Sequence, residues 1–233
     1  MLPIAILSGG LGTRLGNVTA NQPKCLIEVS GKPFLEWQIE LLVNSGYTNL
    51  VMCISYKHEQ VQKFLKSKNN FGVNIALSLD GEKQLGTGGA IKKAKNLLGP
   101  KFAVIYGDSY LPINFKEVEE KFLSFNKAAC MTVYKNENLF DKSNVEYNGQ
   151  SVNLYSKQIT TDKMNYIDYG LTYMNIGALD SYASDEPFDL SEVLQELSLS
   201  NQLSGFEVKE RFYEIGSPQG ILDFTHYLNG VNL

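Results

Sequence analysis

The sequence is poor in the residues that build several common kinds of site. Two histidines among 233 residues argue against a histidine-rich zinc site. The three cysteines, Cys25, Cys53 and Cys130, form an odd number without a close pair, which is typical of free thiols in a reducing compartment. No apolar run approaches the length of a membrane helix, and no basic segment precedes an apolar run at the N-terminus. We therefore expect a cytoplasmic protein with no membrane partner and no signal peptide.

Basic charge is scarce as well. The chain has 21 basic and 25 acidic residues, which gives a formal net charge of −4, and it has no basic stripe. This balance argues against a nucleic-acid partner, because proteins that bind nucleic acids carry clustered positive charge. The hydrophobic content of 43% is ordinary for a globular protein, and a chain of this length can bury one good core. We therefore predict a single domain over residues 1–233.

Strand and helix patterns alternate through the first half of the chain. The predicted strands there are 2–7, 49–55, 73–79 and 102–106, with helices that begin at Pro33 and cover 58–66 and 86–98. The second half is less regular, with predicted strands at 128–134, 145–147, 152–155, 166–175, 206–208 and 211–215 and helices at 190–199 and from Ser217. The alternation predicts an α/β fold, in which a mostly parallel mixed sheet is flanked by helices.

A glycine-rich turn follows the first predicted strand. Gly9, Gly10 and Gly12 allow a sharp turn that brings backbone N–H groups against an anion. Arg14 and Lys24 can then contact phosphate oxygens, the arginine as a fork and the lysine as a point charge. These residue types in this order predict a binding loop for a nucleoside triphosphate.

Two better-known phosphate loops do not fit the sequence. A Walker A loop needs Gly-Lys-Ser/Thr, but Gly31 and Lys32 are followed by Pro33. A dinucleotide loop needs a glycine at position 15, which is Leu15. The pattern Gly-Gly-x-Gly-Thr-Arg-Leu followed by Pro-Lys, at positions 9–15 and 23–24, resembles instead the signature of the sugar nucleotidylyltransferases.

That resemblance covers nearly the whole chain and implies both a fold and a reaction. The implied fold is a Rossmann-like nucleotidyltransferase fold, similar to GT-A, with a nucleotide-binding half in 1–125 and a sugar-phosphate-binding half in 126–233. The implied partners are a nucleoside triphosphate and a sugar 1-phosphate, which react to give a nucleotide-sugar and pyrophosphate. The resemblance assigns nucleotide binding to the first glycine loop and catalysis to two of its cations. The loop residues are Leu7, Ser8, Gly9, Gly10, Gly12 and Thr13, and the cations are Arg14 and Lys24.

A second glycine cluster resembles the nucleoside-binding segment of the family. Gly86, Thr87 and Gly88 would approach the base and the ribose. Glu82, just upstream, stands where similar guanylyltransferases have an acid that recognises the base. Guanine presents two adjacent donors that one carboxylate can accept, which favours GTP. Gln84 is close enough to compete for this role, so both residues stay candidates.

Two acidic residues resemble the metal ligands of the family. Asp108 follows a predicted buried strand, and Mg²⁺, the cofactor that the resemblance implies, takes one or two carboxylates plus phosphate oxygens. Glu214, in Glu-Ile-Gly-Ser-Pro, stands where the family has the Asp of Asp-x-Gly-Thr-Pro. Asp223, on the following predicted helix, is a weaker candidate for the metal.

The resemblance also implies a site for the sugar phosphate. Lys157 matches the lysine of the family's Glu-Lys-Pro, which holds that phosphate and acts in catalysis. The acid before it is replaced by Ser156, so recognition of the sugar hydroxyls departs from the family pattern. Tyr169 and Gly170 fall on a strand that lines the sugar pocket in the family.

Segments 85–91 and 107–109 most resemble those of bacterial D-glycero-D-manno-heptose 1-phosphate guanylyltransferases, which implies GTP and that heptose 1-phosphate as substrates.

The attacking phosphate is largely ionised at neutral pH, so a reaction without a general base agrees with the scarcity of histidine. Mannose 1-phosphate guanylyl transfer, and uridylyl, thymidylyl or cytidylyl transfer to another phosphorylated acceptor, are the alternatives. A catalytically silent nucleotide-sugar sensor is a third hypothesis, and a homodimer is left open.

Overall fold

A nine-stranded sheet forms the centre of the molecule. The computed structural model describes residues 1–10, 22–55, 57–81, 83–183 and 186–230. The strands in chain order are β1 (Ile4–Leu7), β2 (Glu28–Val29), β3 (Lys32–Pro33), β4 (Asn49–Ile54), β5 (Asn74–Leu79), β6 (Lys101–Tyr106), β7 (Ser109–Tyr110), β8 (Ala129–Lys135), β9 (Val145–Tyr147), β10 (Val152–Tyr155), β11 (Tyr166–Asn175), β12 (Leu203–Val208) and β13 (Tyr213–Glu214). The helices are α1 (Phe34–Asn44), α2 (His58–Ser67), α3 (Gly86–Lys93), α4 (Lys95–Leu98), α5 (Phe115–Ser124), α6 (Leu190–Leu199) and α7 (Pro218–Leu228).

The sheet has a parallel part and an antiparallel extension. Its order is β10-β9-β11-β6-β1-β4-β5, with β8 paired to β11 and β12 paired to β8. Strands β5, β4, β1 and β6 run parallel to one another, whereas β11 runs antiparallel to both β6 and β8. A separate two-stranded ladder joins β7 to β13. The predicted α/β fold with a mostly parallel mixed sheet is confirmed.

Apolar side chains of β1 alternate between the two faces of the sheet. Ile4 and Ile6 belong to one buried core, to which α1, α2 and α5 contribute, whereas Ala5 and Leu7 belong to a second core with α3 and α6. All four side chains are buried because helices cover both faces, which explains the continuous apolar run in the sequence. Among the described residues, no helix combines the length and the apolarity needed to cross a bilayer.

The carboxyl ends of β1, β4, β5 and β6 meet at one edge of the sheet, because these strands are parallel. The segment that follows β1 is therefore placed next to Asp80 after β5 and Asp108 after β6. Since β11 is antiparallel to β6, its first residues, including Asp168, reach the same edge. Ligands of open α/β sheets bind at this edge, so the topology positions a site there.

Several element boundaries differ from those predicted. The predicted helix 86–98 is divided at Ala94 into α3 and α4, and β12 begins at Leu203 rather than near residue 206. The predicted strand 211–215 is reduced to β13. Helix α5 was not predicted, although Phe115, Val118 and Phe122 follow helical spacing and are buried together in one core.

Candidate active site

Two cavities open side by side at the carboxyl edge of the sheet. The first has a volume of about 410 Å³ and the second a volume of about 600 Å³. Tyr106 and Asp108, at the end of β6, line both cavities. Two ligands bound in these cavities would therefore meet at the end of β6.

The first cavity brings together the two glycine segments. Of the predicted nucleotide-binding residues, six line it: Leu7, Ser8, Gly9, Gly10, Gly86 and Thr87. The Oγ atom of Ser8 is buried and makes no hydrogen bond with any residue that the structure describes. Ser55 Oγ donates to Gly9 O at 2.7 Å, which holds the loop after β1 to the end of β4. The lining combines backbone and hydroxyl donors, which suit an anionic ligand.

Gly107 allows β6 to approach the loop after β1. A side-chain carbon at this position would lie 2.0 Å from Ser8 Oγ and 2.8 Å from Leu7 O. The Gly107 N–H donates to the same Leu7 carbonyl at 2.8 Å. Glycine is therefore required for the close packing that brings Asp108 to the first cavity.

Gly88, which was predicted to bind the nucleotide, packs against Phe188. Its N–H donates to Phe188 O at 3.0 Å, and a side-chain carbon would lie 2.2 Å from the Phe188 ring. It is buried and does not line the first cavity. Gly88 lets α3 pack against the segment before α6, and its assignment to nucleotide binding stays a prediction.

Lys24 and Asp108 meet between the two cavities. Pro23 precedes a short 3₁₀ helix, Lys24–Leu26, which directs the lysine toward the end of β6. Lys24 Nζ donates to Asp108 Oδ2 at 2.5 Å, and the two side chains are 14% and 30% exposed. The pair neutralises both charges in a site that remains open to solvent, so an incoming phosphate can compete for the lysine.

A buried glutamine fixes the turn that carries Asp108. Gln38, on α1, is 1% exposed, and its Nε2 donates to Tyr106 O at 2.8 Å and to Ser109 O at 2.7 Å. These two carbonyls lie on either side of Asp108 in the chain. The sequence pattern did not indicate Gln38, because its partners are 68 and 71 residues away.

Glu214 lies beside Asp108 on the paired strands β13 and β7. Glu214 pairs with Ser109, and the Ile215 N–H donates to Asp108 O at 3.0 Å. The Glu214 carboxylate accepts hydrogen bonds from the Gly216 N–H at 2.8 Å and from Ser217 Oγ at 3.3 Å. It lines the second cavity, as does Asp108. The two predicted metal ligands are therefore brought together although they are far apart in sequence.

The donor chemistry at this point fits Mg²⁺ shared with substrates. Among the described residues, no group of three or more His, Cys, Asp or Glu side chains could hold a metal ion. A magnesium ion bound by one or two carboxylates instead completes its coordination with phosphate oxygens and water. Asp108, which lines both cavities, and Glu214, which lines the second, provide two carboxylates that match that requirement. Asp223, the weaker candidate, is paired with Arg211 and also lines the second cavity.

The second cavity contains the predicted phosphate-binding lysine. Lys157 lies 3.4 Å from Asp189 Oδ1, and both side chains are nearly half exposed. Ser156 is buried, and its hydroxyl accepts hydrogen bonds from the backbone of Gln158 and Ile159. The serine that replaces the family acid therefore shapes the turn, whereas Lys157 lines the cavity.

Tyr169 and Gly170, which were predicted to bind the sugar phosphate, do not line the second cavity. Tyr169 is 1% exposed and packs against Tyr134 and Phe212 in the core. Side chains of a strand alternate between faces, so Asp168, the residue before it, lines the cavity instead. The Gly170 N–H donates to Asp168 Oδ1 at 2.9 Å, so the glycine positions a cavity residue.

Four predicted residues, Gly12, Thr13, Arg14 and Glu82, lie outside the described residues. Gln84, the alternative to Glu82, lines the first cavity. A second acid that was not predicted, Asp80, also lines this cavity, and it directly follows β5 in the way that Asp108 closely follows β6. Burial raises the pKa of Asp80, while the N–H of Leu85 and the charge of Lys93 act in the opposite direction. The position of Asp80 at a strand end was the signal that could have identified it.

Comparisons with known proteins agree with this geometry. The nucleotidyl transferase family model matches residues 4–143. A D-glycero-alpha-D-manno-heptose 1-phosphate guanylyltransferase of Campylobacter jejuni is 29% identical over 224 residues, or 96% of this chain and 97% of the relative. A mannose-1-phosphate guanyltransferase of Saccharomyces cerevisiae is 29% identical over 97% of this chain and 64% of the relative. The crystal structure of HddC from Yersinia pseudotuberculosis complexed with GMP-PN has a TM-score of 0.83 and 26% identity, over 98% of this chain and 100% of that chain.

The family match covers most of the parallel sheet and both glycine segments. It includes Lys24 and Asp108, which the structure brings into contact between the two cavities. The resemblance inferred from residues 9–15 and 23–24 is confirmed by this match. The chain belongs to the nucleotidyl transferase family.

Proposed function

We propose that the protein transfers a guanylyl group from GTP to a sugar 1-phosphate, with release of pyrophosphate. The observation that carries this proposal is the pair of adjoining cavities that share Asp108. One is lined by the two glycine segments and the other contains Lys157. Such an arrangement suits a reaction in which a bound phosphate attacks the α-phosphorus of a neighbouring bound nucleotide.

The chain's own cations support this division of the site. Lys24 lies where the cavities meet and is free to exchange Asp108 for an α-phosphate oxygen that gains charge during the reaction. Lys157 pairs loosely with Asp189 and would hold the acceptor phosphate. Since that phosphate is largely ionised at neutral pH, it can attack without a general base. Arg14 is proposed as a further triphosphate contact.

We assign Mg²⁺ binding to Asp108 and Glu214, on the donor chemistry described above. When bound, the metal would neutralise phosphate charge between the two substrates. The protein residues orient the phosphates around it and keep the acceptor in line. We also propose that the enzyme acts in the cytoplasm, because its three cysteines are free and buried, as suits a reducing compartment.

GTP is favoured by acidic groups beside the second glycine segment. Asp80 lines the first cavity, and one of its oxygens lies 3.5 Å from the Leu85 N–H. A carboxylate can accept the adjacent N1–H and N2–H donors of guanine together, whereas uracil presents one donor between two acceptors. Asp80 therefore joins Glu82 and Gln84 as a candidate for recognition of the base. The two guanylyltransferase relatives support the same choice.

The acceptor that we propose first is D-glycero-α-D-manno-heptose 1-phosphate. It is the substrate in the name of the Campylobacter jejuni relative, which this chain matches along 97% of that protein. Mannose 1-phosphate is the second choice, supported by the Saccharomyces cerevisiae relative. Both sugars share the manno ring configuration, so one cavity could accept either of them.

Pyrophosphate release tests this function directly. The purified protein with Mg²⁺ is mixed with GTP, CTP, UTP, dTTP or ATP, each with heptose 1-phosphate, mannose 1-phosphate or glucose 1-phosphate. Turnover restricted to GTP with a manno-configured acceptor supports the proposal, and the Lys24→Ala protein serves as the inactive control. Turnover with another nucleotide would retain nucleotidyl transfer and reject the guanine assignment. Binding of GTP without turnover of any acceptor would favour the sensor hypothesis.

A further inference from the structure

The second glycine segment makes contacts that its place in the first cavity does not explain. Residues 186–190, which lead into α6, lie against it. The Phe188 N–H donates to Leu85 O at 3.1 Å, and Phe188 O accepts from the Gly88 N–H at 3.0 Å. A side-chain carbon at Gly86 would lie 2.5 Å from Phe188 O, so glycine is needed for this approach. The segment therefore borders the first cavity and also anchors the start of α6.

Thr87 connects the first cavity to α6 through its side chain. It lines that cavity, and its Oγ1 accepts a hydrogen bond from the Leu190 N–H at 2.8 Å. Leu190 is the first residue of α6, and the N–H groups of a first helical turn have no partner within the helix. The threonine hydroxyl supplies one such partner from outside. The beginning of α6 is thus fixed to the wall of the first cavity.

Asp189, the N-cap of α6, is held in one orientation by its own helix. Its Oδ1 accepts the Ser191 N–H at 2.8 Å, and its N–H donates to Glu192 Oε1 at 3.1 Å, which completes a capping box. Burial acts to raise the pKa of Asp189, but the hydrogen bonds from Ser191 and the charge of Lys157 outweigh burial and lower it. The carboxylate is therefore ionised at neutral pH and fixed in position.

The same carboxylate is paired with Lys157. Lys157 Nζ lies 3.4 Å from Asp189 Oδ1, and Lys157 lines the second cavity, whereas Asp189 lines neither cavity. Both side chains are nearly half exposed, so the pair contributes little to stability. The pair does restrict where a long and flexible side chain points. A lysine that is already held near the phosphate site loses less side-chain entropy when the phosphate binds.

We propose that Asp189 is a positioning residue for Lys157, and that Thr87 fixes it relative to the nucleotide cavity. The connection consists of two hydrogen bonds and one peptide unit. Thr87 Oγ1 binds the Leu190 N–H, the peptide joins Leu190 to Asp189, and the Asp189 carboxylate binds the lysine. The ammonium group has three donors, so one can remain on Asp189 while the others bind the acceptor phosphate. The inference rests on the proposed function, which assigns Lys157 to that phosphate.

Steady-state kinetics with GTP and the acceptor varied separately test this role. Asp189→Asn and Asp189→Ser both keep a good N-cap and remove the negative charge. We expect each variant to raise KM for mannose 1-phosphate or heptose 1-phosphate by about 2- to 10-fold, the usual cost of immobilising one long side chain. KM for GTP and Tm should stay unchanged. The matched control is Glu120→Gln, which removes an exposed carboxylate paired with Lys116 on α5, and its KM values should equal those of wild type.

A double-mutant cycle shows whether Asp189 acts through the lysine. In a Lys157→Gln background, Asp189→Asn should cause no further loss of kcat/KM for the acceptor, because no ammonium group remains to be positioned. Thr87→Val removes the acceptor of the Leu190 N–H and keeps the shape of the side chain. It should raise KM for the acceptor in addition to its effect on GTP, and Thr87→Ser should restore KM for the acceptor.

The outcomes separate the positioning role from the function on which it rests. If the losses of Lys157→Gln and Asp189→Asn add, or if Asp189→Asn raises both KM values equally, the role is rejected while guanylyl transfer stands. A lower KM for the acceptor in Asp189→Asn would also reject it, because Asp189 would then compete with the phosphate for the lysine. If wild-type protein turns over no sugar 1-phosphate with any nucleotide, the proposed function is rejected and the role with it.

Discussion

Lys24 is the residue whose loss we expect to lower catalysis most. Its Nζ is bonded to Asp108 at 2.5 Å and is 14% exposed, so it lies where the reacting phosphates would meet. We expect Lys24→Ala to lower kcat by roughly 10²- to 10³-fold, since a positioned donor to a developing charge contributes several kcal/mol. Lys66→Ala, on the exposed face of α2, should leave kcat unchanged. Steady-state pyrophosphate release measures both, and near-normal turnover of Lys24→Ala would remove the lysine from the mechanism.

The ionised carboxylate of Asp168 should destabilise the folded protein at neutral pH. Burial is the largest influence on its pKa and raises it above the value in the unfolded chain, although the Gly170 N–H, Lys157 and Tyr155 act in the opposite direction. A carboxyl with a raised folded-state pKa favours folding below its unfolded pKa, and this contribution is lost as the pH rises through the folded pKa.

Asp168→Asn should therefore raise Tm at pH 7, because the amide keeps an acceptor for the Gly170 N–H and removes the buried charge. The gain should shrink as the pH falls toward the ordinary aspartate range, where the wild-type carboxyl becomes protonated. Thermal unfolding from pH 4 to 8 measures this. A Tm difference that does not change with pH would contradict the assignment, and Asp162→Asn provides the exposed control.

At the residue scale, sequence reasoning found groups whose chemistry is local and missed those whose role depends on distant partners. Lys24 and Asp108 were each recognised within a short motif, and the structure joins them across 84 residues. The segment around Gln38 gave no indication of its role, because its amide donates to one carbonyl of β6 and one of β7, both distant in the sequence. Tyr169 was assigned to the sugar pocket, but the alternation of the strand turns it into the core and exposes Asp168 instead.

At the element scale, α1 supports the site through one buried side chain. Gln38 donates to the carbonyls of Tyr106 and Ser109, and loss of the amide would leave both without these donors. Gln38→Leu keeps a similar volume, so we expect a loss of about 2–4 kcal/mol of stability from the unsatisfied carbonyls. We also expect kcat/KM to fall because Asp108 is held less firmly. Denaturant unfolding and pyrophosphate release together measure this, with Gln62→Leu on exposed α2 as control.

An unchanged unfolding curve for Gln38→Leu would show that the turn after β6 is held by its other contacts. These include the hydrogen bond from Ile215 N–H to Asp108 O, which ties the turn to β13. A loss of stability with normal kcat/KM would mean that Gln38 supports the fold without positioning Asp108. The two measurements thus separate the role of α1 in stability from its role in catalysis.

The strand β6 approaches the loop after β1 so closely that a methyl group does not fit at Gly107. Its side-chain carbon would lie 2.8 Å from the backbone oxygen of Leu7, and backbone cannot move aside as a flexible side chain can. We expect Gly107→Ala to destabilise the protein by about 1–3 kcal/mol, the usual cost of overpacking. In Gly177→Ala, the new carbon would make its nearest contact at 3.6 Å, with Asp180 Oδ2, so this variant should keep its stability. Chemical denaturation compares the two, and equal midpoints would contradict the packing argument.

Elements with strong patterns were predicted well, and those with mixed signals were not. The hairpin of β9 and β10 and the strand β11 match their predicted bounds, because turn residues and β-branched or aromatic runs mark them clearly. Helix α5 was missed because its charged residues interrupt a short apolar stripe. Phe115 is buried against α1 and the sheet, which are distant in the sequence, so its own segment does not reveal that it is buried. The start of β12 and the bounds of β13 depend on pairing partners that no local pattern reveals.

At the scale of the whole molecule, one sheet separates two buried cores, and the three cysteines are divided between them. Cys25 and Cys130 belong to one core and Cys53 to the other. Burial raises their pKa values to about 12 for Cys25, about 12 for Cys53 and about 11 for Cys130. At pH 8 the reactive thiolate should therefore be a fraction of about 10⁻³ to 10⁻⁴, against roughly a quarter for an ordinary thiol.

Alkylation of these thiols should therefore report opening of the whole sheet. We expect iodoacetamide at pH 8 to modify Cys25, Cys53 and Cys130 at the same slow rate, measured by peptide mass spectrometry, and to modify all three rapidly in denaturant. GTP at about 100 times its Kd should slow all three by about 100-fold, since a ligand of the native state alone suppresses global opening by that factor. Cys25 and Cys53 line the first cavity, whereas Cys130 does not. If GTP slows the first two and leaves Cys130 unchanged, the opening is local to the nucleotide cavity and the sheet does not open as one unit.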